Sequence, residues 1–455
     1  MKTITALFCM ILTINGFILE LYGQMDVKGK GSTGATVTFV TKNNLNDTSM
    51  IIFDNGKIGI DSTNPVNQLE VKGVIGASGG IKFGDGTLLT SAWGTTYFHV
   101  YTVALSGGDF PSIGAALAAC ASPSASNTYL VRVMPGTYNE NVVCKKFVHL
   151  KGAGKYVTTI NGFVTGADSC VIEDFYITKG IICSGTSPTI LHNIITNKLT
   201  GDLINGIHIT LAGRPWIKEN EIVSCHGWGI YCYGFGSDPW IIANKIRFNT
   251  LGGIICINSS PLISNNFIDS NKVYGIYLLG ALGTPAEPTI DDNVIGHTEY
   301  YSSGIGIHME QYAEPRIIAN DIYLNGCGIY IKSNTQPSVI GNNINYNYAA
   351  GIRCTSMGAS KRVVITSNHI HSNINPGAIS PAGIWVQNAN PMITFNNITQ
   401  NDTSFPPTQP DIDYQTCVFP NLPMISSNVF NIILKSSTPA NGNYNVDSNG
   451  NPIAP

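Results

Sequence analysis

Three neighbouring copies of a short Gly-Ile-x-aliphatic phrase carry side chains that can do acid–base chemistry. His308 and Arg353 occupy the first of two outward positions in these copies, and Glu310 and Lys332 occupy the second. If each copy is a β-strand, its aliphatic residues face inward and these four side chains face outward together. An acidic-polysaccharide lyase needs a base that takes the C5 proton and cations that neutralise a uronate. The four residues are therefore candidate catalytic residues, although Glu310 and Lys332 could equally form only a surface ion pair.

The same outward positions are rich in aromatic side chains. Aromatic rings stack on the apolar faces of sugars while their polar tips bond hydroxyl groups. We therefore expect a platform for an elongated polysaccharide or glycoconjugate, built from His208, Tyr231, Tyr233, Tyr277, Tyr330 and Trp385. Two alternatives stay open: Tyr and Trp are favoured simply as strand residues, or a loop or partner chain covers them.

A second phrase, Pro-x-Ile-x-x-Asn-x-Ile, organises the middle of the chain. Its nine copies follow each other at steps of 22 to 28 residues and start at Pro188, Pro215, Pro239, Pro261, Pro288, Pro315, Pro337, Val363 and Pro391. A period of this length indicates a solenoid. Together the two phrases supply three short strands per coil, and successive coils should stack at about 4.8 Å.

The recurrent Asn lies where the chain must bend between two strands. Asn tolerates a left-handed backbone, so we expect it to form the corner itself. Its amide can also donate and accept along a stack of equivalent residues. Several of the ten cysteines after residue 23 replace Ile or Val of other copies, which favours core positions over disulfides. No C-x-x-C pair occurs, and we expect no metal site and no cofactor.

Residues 96–165 read as a cap followed by the first coils. Phe110–Cys120 is Ala-rich and helical in pattern, and Tyr129–Val133 and the line Pro135-Gly-Thr-Tyr-Asn-Glu140 follow it. This order resembles the opening of pectinesterases and other pectin-lyase-like proteins, whose helix plugs the first coil of a right-handed parallel β-helix. With the repeats, the resemblance covers residues 97–450. It implies an all-β, single-stranded right-handed parallel β-helix of about 10–11 coils with an N-terminal capping helix.

The resemblance also implies several activities, and the residues of this chain support some of them better than others. The acidic sets of pectinesterases and polygalacturonases are not found at matching positions. The β-helix group includes copper-site maturation proteins as well, but Met309, Cys256 and Cys354 fall at inward positions and look like core residues. Carbohydrate binding and acidic-polysaccharide cleavage fit the outward residues better.

The ends of the chain differ from the repeats. Residues 1–23 read as a signal peptide cleaved near Gly23; the alternative, a membrane anchor, is disfavoured by Asn15 and Glu20, and no later stretch is long and apolar enough to span a membrane. Residues 24–95 contain Ile58-Gly-Ile60, Asn64-Pro65, Leu69-Glu-Val71-Lys-Gly73 and Phe83-Gly-Asp-Gly-Thr87. These motifs resemble the shaft repeats of phage tail fibres and of many bacterial surface proteins, which implies a short fibrous β-stalk and allows a homotrimer. Residues 166–400 hold the repeat coils, and 401–455 hold closing strands and a loose tail.

The amino-acid composition excludes one class of function. The chain has 455 residues, of which 12% are charged, and a net charge of −3. This excludes the basic footprint of a nucleic-acid-binding protein. We expect a secreted or surface protein that recognises a polysaccharide. The alternatives are a polysaccharide lyase or glycosidase on the same face, which leaves enzymatic activity open, and a non-catalytic spacer or adhesin.

Overall fold

A computed structural model describes most of the repeat region and parts of both ends. It covers residues 12–14, 17–19, 25–27, 37–42, 48–53, 57–60, 69–71, 81–82, 88–89, 97–201, 204–298, 304–356, 362–373, 382–399, 401, 411–415, 424–426, 428–430 and 435–436. The predicted cleavage position near Gly23 and the predicted loose tail after residue 436 lie outside the described residues. The chain divides into two compact units, Met1–Thr95 and Thr96–Pro455. Among the described residues, no helix has the length and apolarity that a membrane crossing requires.

The first unit contains short strands. Leu12–Ile14 pairs with Phe17–Leu19, Ile81–Lys82 pairs with Leu88–Leu89, and a five-stranded sheet contains Met25–Val27, Val37–Lys42, Thr48–Phe53, Ile58–Ile60 and Leu69–Val71. Most pairs are antiparallel, and the last pair of the five-stranded sheet is parallel. The predicted stalk and its trimerisation stay predictions.

The second unit consists mainly of three parallel sheets, and the chain passes through all three in each coil. The sheet built on the Pro-x-Ile phrase, here the Pro-Ile sheet, has 14 strands: His99–Val103, Tyr129–Val133, Val148–Gly152, Val171–Glu173, Thr189–Leu191, Trp216–Lys218, Trp240–Ile242, Leu262–Ser264, Thr289–Asp291, Arg316–Ile318, Ser338–Ile340, Val364–Thr366, Met392–Thr394 and Met424–Ser426. The Asn-Ile sheet, which follows the repeat Asn, has 13: Gly136–Tyr138, Thr158–Ile160, Tyr176–Ile177, Ile194–Ile195, Glu221–Val223, Lys245–Arg247, Phe267–Asp269, Val294–Gly296, Asp321–Tyr323, Asn343–Asn345, His369–His371, Asn397–Thr399 and Val429–Phe430.

The third sheet, the Gly-Ile sheet, also has 13 strands. They are Val142–Val143, Val164–Thr165, Ile181–Ser184, Ile207–Thr210, Trp228–Tyr233, Gly252–Ile257, Tyr274–Leu279, Ile305–Glu310, Cys327–Lys332, Ala350–Thr355, Ala382–Gln387, Ile412–Gln415 and Lys435–Ser436. Each coil contributes one strand to every sheet, so the predicted right-handed parallel β-helix is confirmed. Nine coils carry the Pro-x-Ile phrase, and further coils precede and follow them.

The inside of the coil is filled by the residues that the two phrases repeat. Ile217, Ile222 and Ile230 represent the three sheets of one coil, and each is 0% exposed. Alternation along each strand turns these side chains inward, and the parallel register stacks them on the same residue of the next coil. The nine cysteines of the described part are buried, as their core-like positions predicted.

The repeat Asn forms a buried ladder along the corner between the Pro-Ile and Asn-Ile sheets. From Asn193 to Asn428, each side-chain amide donates to Oδ1 of the next asparagine at 2.9–3.1 Å. This stacking was predicted. The expectation of a left-handed backbone at the Asn itself is wrong: the residue before it takes that conformation, as Glu219 (φ 56°) and Ala243 (φ 55°) do. The Asn side chain bonds the backbone carbonyls that the bend exposes, so it stabilises a corner made by its neighbour.

A second ladder, which the sequence analysis missed, lies five residues further along each coil. Asn249, Asn271, Asn325, Asn347, Asn373 and Asn401 stack at the corner between the Asn-Ile and Gly-Ile sheets. Thr298 replaces Asn in one coil, and its backbone N–H donates to Oδ1 of Asn325 at 3.2 Å. Both corners next to the Asn-Ile sheet are therefore held by side-chain amides, which fixes where the Gly-Ile strand begins.

The Gly of the Gly-Ile phrase is required by close approach between coils. A Cβ at Gly328 would lie 2.5 Å from the carbonyl oxygen of Gly351, and the same contact recurs between Gly229 and Gly253 at 2.7 Å. The strands bend at this residue, and the register pairs Trp228 with Gly252 and Ile230 with Ile254 but skips the Gly between.

The predicted capping helix is present at Ile113–Ala119. Ser112 accepts a hydrogen bond from the N–H of Ala115 at 3.2 Å, and the Glu140 carboxylate accepts from the N–H groups of Ile113 and Gly114 at 2.8 Å each. Its apolar side chains join the core of the first coil, so the helix covers the end of the solenoid.

Candidate functional site

The outward residues of the Gly-Ile sheet form columns because neighbouring strands pair in register. One column runs Tyr277, His308, Tyr330, Arg353 and Trp385 on successive coils. In-register parallel strands hold such side chains at roughly the 4.8 Å strand spacing, so rings on adjacent coils contact each other directly. Four of these five side chains are half-buried, and His308 is only 6% exposed.

Five rings of this region pack into one cluster. Tyr277 stacks on His308 with centroids 5.0 Å apart and rings inclined by 22°, and Tyr330 meets His308 edge-on at 5.1 Å. Tyr274 lies 5.0 Å from Tyr277 and 5.4 Å from His308. Trp228 stacks on Tyr274 at 5.8 Å. These rings bury His308, which corrects the expectation that its side chain is exposed.

Glu310 connects the rings to the charged side chains. The Tyr277 hydroxyl donates to Oε1 of Glu310 at 2.5 Å, and Nζ of Lys332 lies 3.4 Å from Oε2. Nε2 of His308 lies 3.7 Å from the same Oε2. The predicted ion pair between Glu310 and Lys332 is thus present, and it forms part of a network with the aromatic cluster.

The environment shifts the pKa of three of these groups. Burial lowers the pKa of His308 to about 4, against the opposing pull of the Glu310 charge, so the imidazole is neutral at pH 7. Burial alone would raise the pKa of Glu310, but the Tyr277 hydrogen bond and the nearby charges outweigh it and lower that pKa. Burial and then the bond to Glu310 raise the pKa of Tyr277. The cluster therefore holds a neutral base beside an ionised carboxylate.

Arg353 lies between two aromatic rings. Its guanidinium carbon is 4.7 Å from the Tyr330 ring centroid and 4.0 Å from that of Trp385. In the described part of the chain, no carboxylate lies within ion-pair distance of Arg353, while Asp413 follows Trp385 in the same column. Arg353 Nε and Trp385 Nε1 are buried without a hydrogen-bond partner, as is Nδ1 of His308. Unpaired buried polar atoms of this kind need an explanation.

The remaining predicted platform residues lie in a separate group. His208 stacks on Tyr231 at 4.7 Å, and Tyr231 stacks on Tyr233 at 6.2 Å. Ile255, 6% exposed, follows Tyr231 in the column and separates it from Tyr277. The structure thus brings together Tyr277, Tyr330 and Trp385 with the four candidate catalytic residues, and places His208, Tyr231 and Tyr233 beside them as a smaller stack.

Trp228 and Tyr274 belong to the cluster but were missed by sequence reasoning. Each precedes the Gly of its phrase, and simple alternation would turn it inward with Ile230 or Ile276. The bend at the Gly breaks the alternation and turns both rings outward. An aromatic residue directly before a repeat Gly was the available signal.

A group of polar side chains on the Pro-Ile sheet has metal-ligand composition. Single donor atoms of Glu173, Asp174 and His192 lie within 4.8 Å of one another. Nζ of Lys151 is 2.7 Å from Glu173 and 3.2 Å from Asp174, and Nε2 of His149 is 2.7 Å from Glu173. The ammonium group of Lys151 lies beside both carboxylates and compensates part of their charge.

The coils of this chain are similar to those of known proteins. The family model described as right handed beta helix region matches residues 156–295 and 252–406, which together exceed half of the chain. No curated protein matches the sequence. The mannuronan C-5 epimerase AlgE6 A-module of Azotobacter vinelandii is 16% identical, with 74% of this chain and 94% of that chain covered and a TM-score of 0.49.

Two further solved structures resemble the chain. The Dettilon tailspike protein is 17% identical, with 69% of this chain and 68% of that chain covered and a TM-score of 0.48. The catalytic unit of the GH87 alpha-1,3-glucanase of Streptomyces thermodiastaticus is 12% identical, with 71% of this chain and 63% of that chain covered and a TM-score of 0.42.

Proposed function

The chain belongs to the right-handed β-helix family, and on that premise we propose that its Gly-Ile sheet binds an extended polysaccharide. The observation that carries the proposal is the cluster of Tyr277, Tyr330 and Trp385 around charged and unpartnered polar groups. Aromatic faces stack on the C–H faces of sugar rings, while the hydroxyl and N–H groups at their edges bond sugar hydroxyls. Because the three rings lie in one column on every second coil, a chain molecule that runs along this column can meet them in sequence.

The charged residues favour a polysaccharide that carries acidic groups. Arg353 presents N–H donors that no carboxylate of the described chain occupies, and a planar guanidinium bonds a carboxylate through two parallel bonds. Stacking between Tyr330 and Trp385 fixes its plane before a ligand arrives, which reduces the entropy lost on binding. Lys332, whose side chain is 44% exposed, adds a second cation on the neighbouring coil.

Calorimetric titration of the full chain with alginate, pectate and neutral dextran tests this function. We expect binding of at least one acidic polymer, and weaker binding as salt concentration rises, because exposed charge pairs are screened. Equal binding of dextran would contradict the acidic preference. Absence of binding to all three polymers would contradict the proposed function.

His308 supports a second candidate function, β-elimination in an acidic polysaccharide. A neutral imidazole can remove the proton from C5 of a uronate; the electron pair forms a C4–C5 double bond while the C4–oxygen bond breaks, and water protonates the departing oxygen. Arg353 and Lys332 would neutralise the carboxylate during this step. Since Nδ1 of His308 is covered, elimination requires a ring to move, and this function ranks second to binding.

Absorbance of unsaturated uronate products separates the two functions. With pectate and alginate, an active lyase gives rising absorbance that His308→Gln and Lys332→Ala abolish. No signal from the wild-type chain would remove the lyase and leave the binding function intact.

We also propose that the chain is exported after cleavage near Gly23 and that residues 24–95 act as a stalk. Mass measurement of the mature N-terminus tests cleavage. Light scattering on chains with and without residues 24–95 tests trimer formation, and a monomeric full chain would contradict it.

A further inference from the structure

Two tryptophans stand exposed on the Pro-Ile sheet, away from the aromatic cluster of the Gly-Ile sheet. Trp216 is 45% exposed and Trp240 is 56% exposed, although large aromatic residues usually bury most of their surface. They occupy the same position on adjacent strands and pair directly in register. Their ring centroids are 6.0 Å apart and the rings are inclined by 77°, so one indole offers its face beside the edge of the other.

The strands hold this pair rigidly. Each Trp follows a Pro and precedes an isoleucine, Ile217 or Ile241, that is 0% exposed. The backbone N–H of Trp216 donates to the carbonyl of Pro188, and that of Trp240 donates to the carbonyl of Pro215. The backbone that carries the indoles is therefore already ordered, and ligand binding would cost little backbone entropy.

The solenoid itself does not explain the exposed indoles. Neighbouring coils place Thr189 before the pair and Leu262 after it, so the fold accepts small or aliphatic residues at this position. Neither Trp touches the network around Glu310. The pair thus remains unused by the fold and by the proposed function.

The chemistry of the surroundings favours an uncharged sugar. Lys218 on the Trp216 strand is paired with Glu219 at 3.0 Å, and Arg214 is paired with Asp238 at 3.5 Å, so the charges near the two tryptophans compensate each other. We propose that Trp216 and Trp240 form a second binding site, which takes a neutral oligosaccharide by stacking a pyranose ring on one indole against the edge of the other. This site is independent of the Gly-Ile sheet, and either can fail without the other.

The size of the pair argues against a protein partner. A half-exposed indole contributes about 100 Å², so two contribute about 200 Å², whereas a stable interface needs roughly 800 Å² on each partner. One or two sugar rings match the smaller area. Phe235, 78% exposed, precedes the Trp240 strand in the same coil, and no ring contact involves it among the described residues. It provides a matched control for exposed apolar surface.

Calorimetric titration of the full chain with cello-, laminari-, xylo- and mannohexaose tests the site. We expect at least one hexaose to bind, Trp240→Ala and Trp216→Ala to weaken that binding by about tenfold each, and Trp240→Phe to stay within about threefold of wild type. Phe235→Ala should change binding by less than about twofold. Circular dichroism melting shows that each variant is folded.

Several outcomes would overturn the proposal. They are no binding by any hexaose at about 1 mM, equal losses in Phe235→Ala and Trp240→Ala, and hexaose binding that survives both tryptophan substitutions. Self-association or binding to phosphatidylcholine vesicles that requires Trp216 and Trp240, without hexaose binding, would assign the pair to another chain or to a membrane surface. Loss of hexaose binding in Tyr277→Ala, with binding unchanged in both tryptophan variants, would place the hexaose on the Gly-Ile sheet.

Discussion

The guanidinium carbon of Arg353 lies 4.0 Å from the centre of the Trp385 ring on the next coil. The Tyr330 ring, on the preceding coil, lies 4.7 Å away, so a permanently charged group is held between two rings. Neighbouring side chains of one column are more than twenty positions apart in sequence. The strand register, which repeats at every coil, brings them into contact.

Replacing Arg353 by Ala should weaken binding of an acidic polysaccharide by about tenfold or more and reduce its salt dependence, because the unpaired cation is lost. Arg353→Lys should recover only part of the affinity, since an ammonium group cannot form the planar paired bonds. Titration at two salt concentrations measures both effects. Arg316→Ala removes an exposed arginine of the Pro-Ile sheet and is the control; equal losses in both variants would refute the specific role of Arg353.

The aromatic residues of the Tyr277 column can be tested by the triple change Tyr277→Ala, Tyr330→Ala and Trp385→Ala. We expect polysaccharide binding to fall below detection, because each stacked ring contributes about 1 kcal/mol or more. Affinity electrophoresis in gels containing the polymer gives the measurement. Tyr156→Ala, an exposed tyrosine elsewhere on the rod, should migrate like the wild type. Unchanged retardation of a folded triple variant would contradict binding at this face.

The pH dependence of stability reports on His308. Its folded pKa of about 4 lies below the unfolded value of 6.5, so the unfolded state binds more protons between these values. Stability should therefore be fully present above about pH 6.5 and fall as the pH drops toward 4, by up to about 3 kcal/mol. The lowered pKa of Glu310 adds a loss in the same direction, but only below about pH 4.5.

Urea unfolding at pH 7 and at about pH 5 measures this contribution. His308→Asn should flatten the dependence in that window, whereas His226→Asn, at an exposed histidine, should keep the wild-type slope. A wild-type slope in His308→Asn would show that other groups cause the loss.

The asparagine ladder should be a major source of stability. The Asn320 side chain donates to the carbonyls of Ile290 and Ile318 and to Asn342, and its Oδ1 accepts two bonds from Asn293. Asn320→Ala leaves these buried groups unpaired, and we expect a loss of about 3–5 kcal/mol in free energy of unfolding.

Chemical denaturation gives that value directly. The control is Asn139→Ala, which removes an exposed amide with a bond to Asn161 and should cost less than about 0.5 kcal/mol. A loss below about 1 kcal/mol in Asn320→Ala would mean that water replaces the ladder bonds.

The sequence by itself determined the coil, its three strands and its inward residues. Strand side chains alternate with period two, and the repeated Ile, Gly and Asn must therefore stack when the copies stack. The same rule predicted that Tyr277, His308, Tyr330, Arg353 and Trp385 share one outward column. It misplaced the left-handed residue, because the corner requires a bend and a bonding amide on two different residues, such as Glu219 and Asn220.

Only the tertiary structure decided which outward residues pack together on the Gly-Ile sheet. The bend at the repeat Gly turned Trp228 and Tyr274 outward, against the alternation that the sequence suggests. Ring packing between coils then buried His308 and lowered its pKa, while Arg353 was left stacked and without a carboxylate partner in the described part of the chain. A periodic pattern assigns each residue to a face, but burial, ring contact and charge pairing depend on which side chains neighbouring coils bring to the same point.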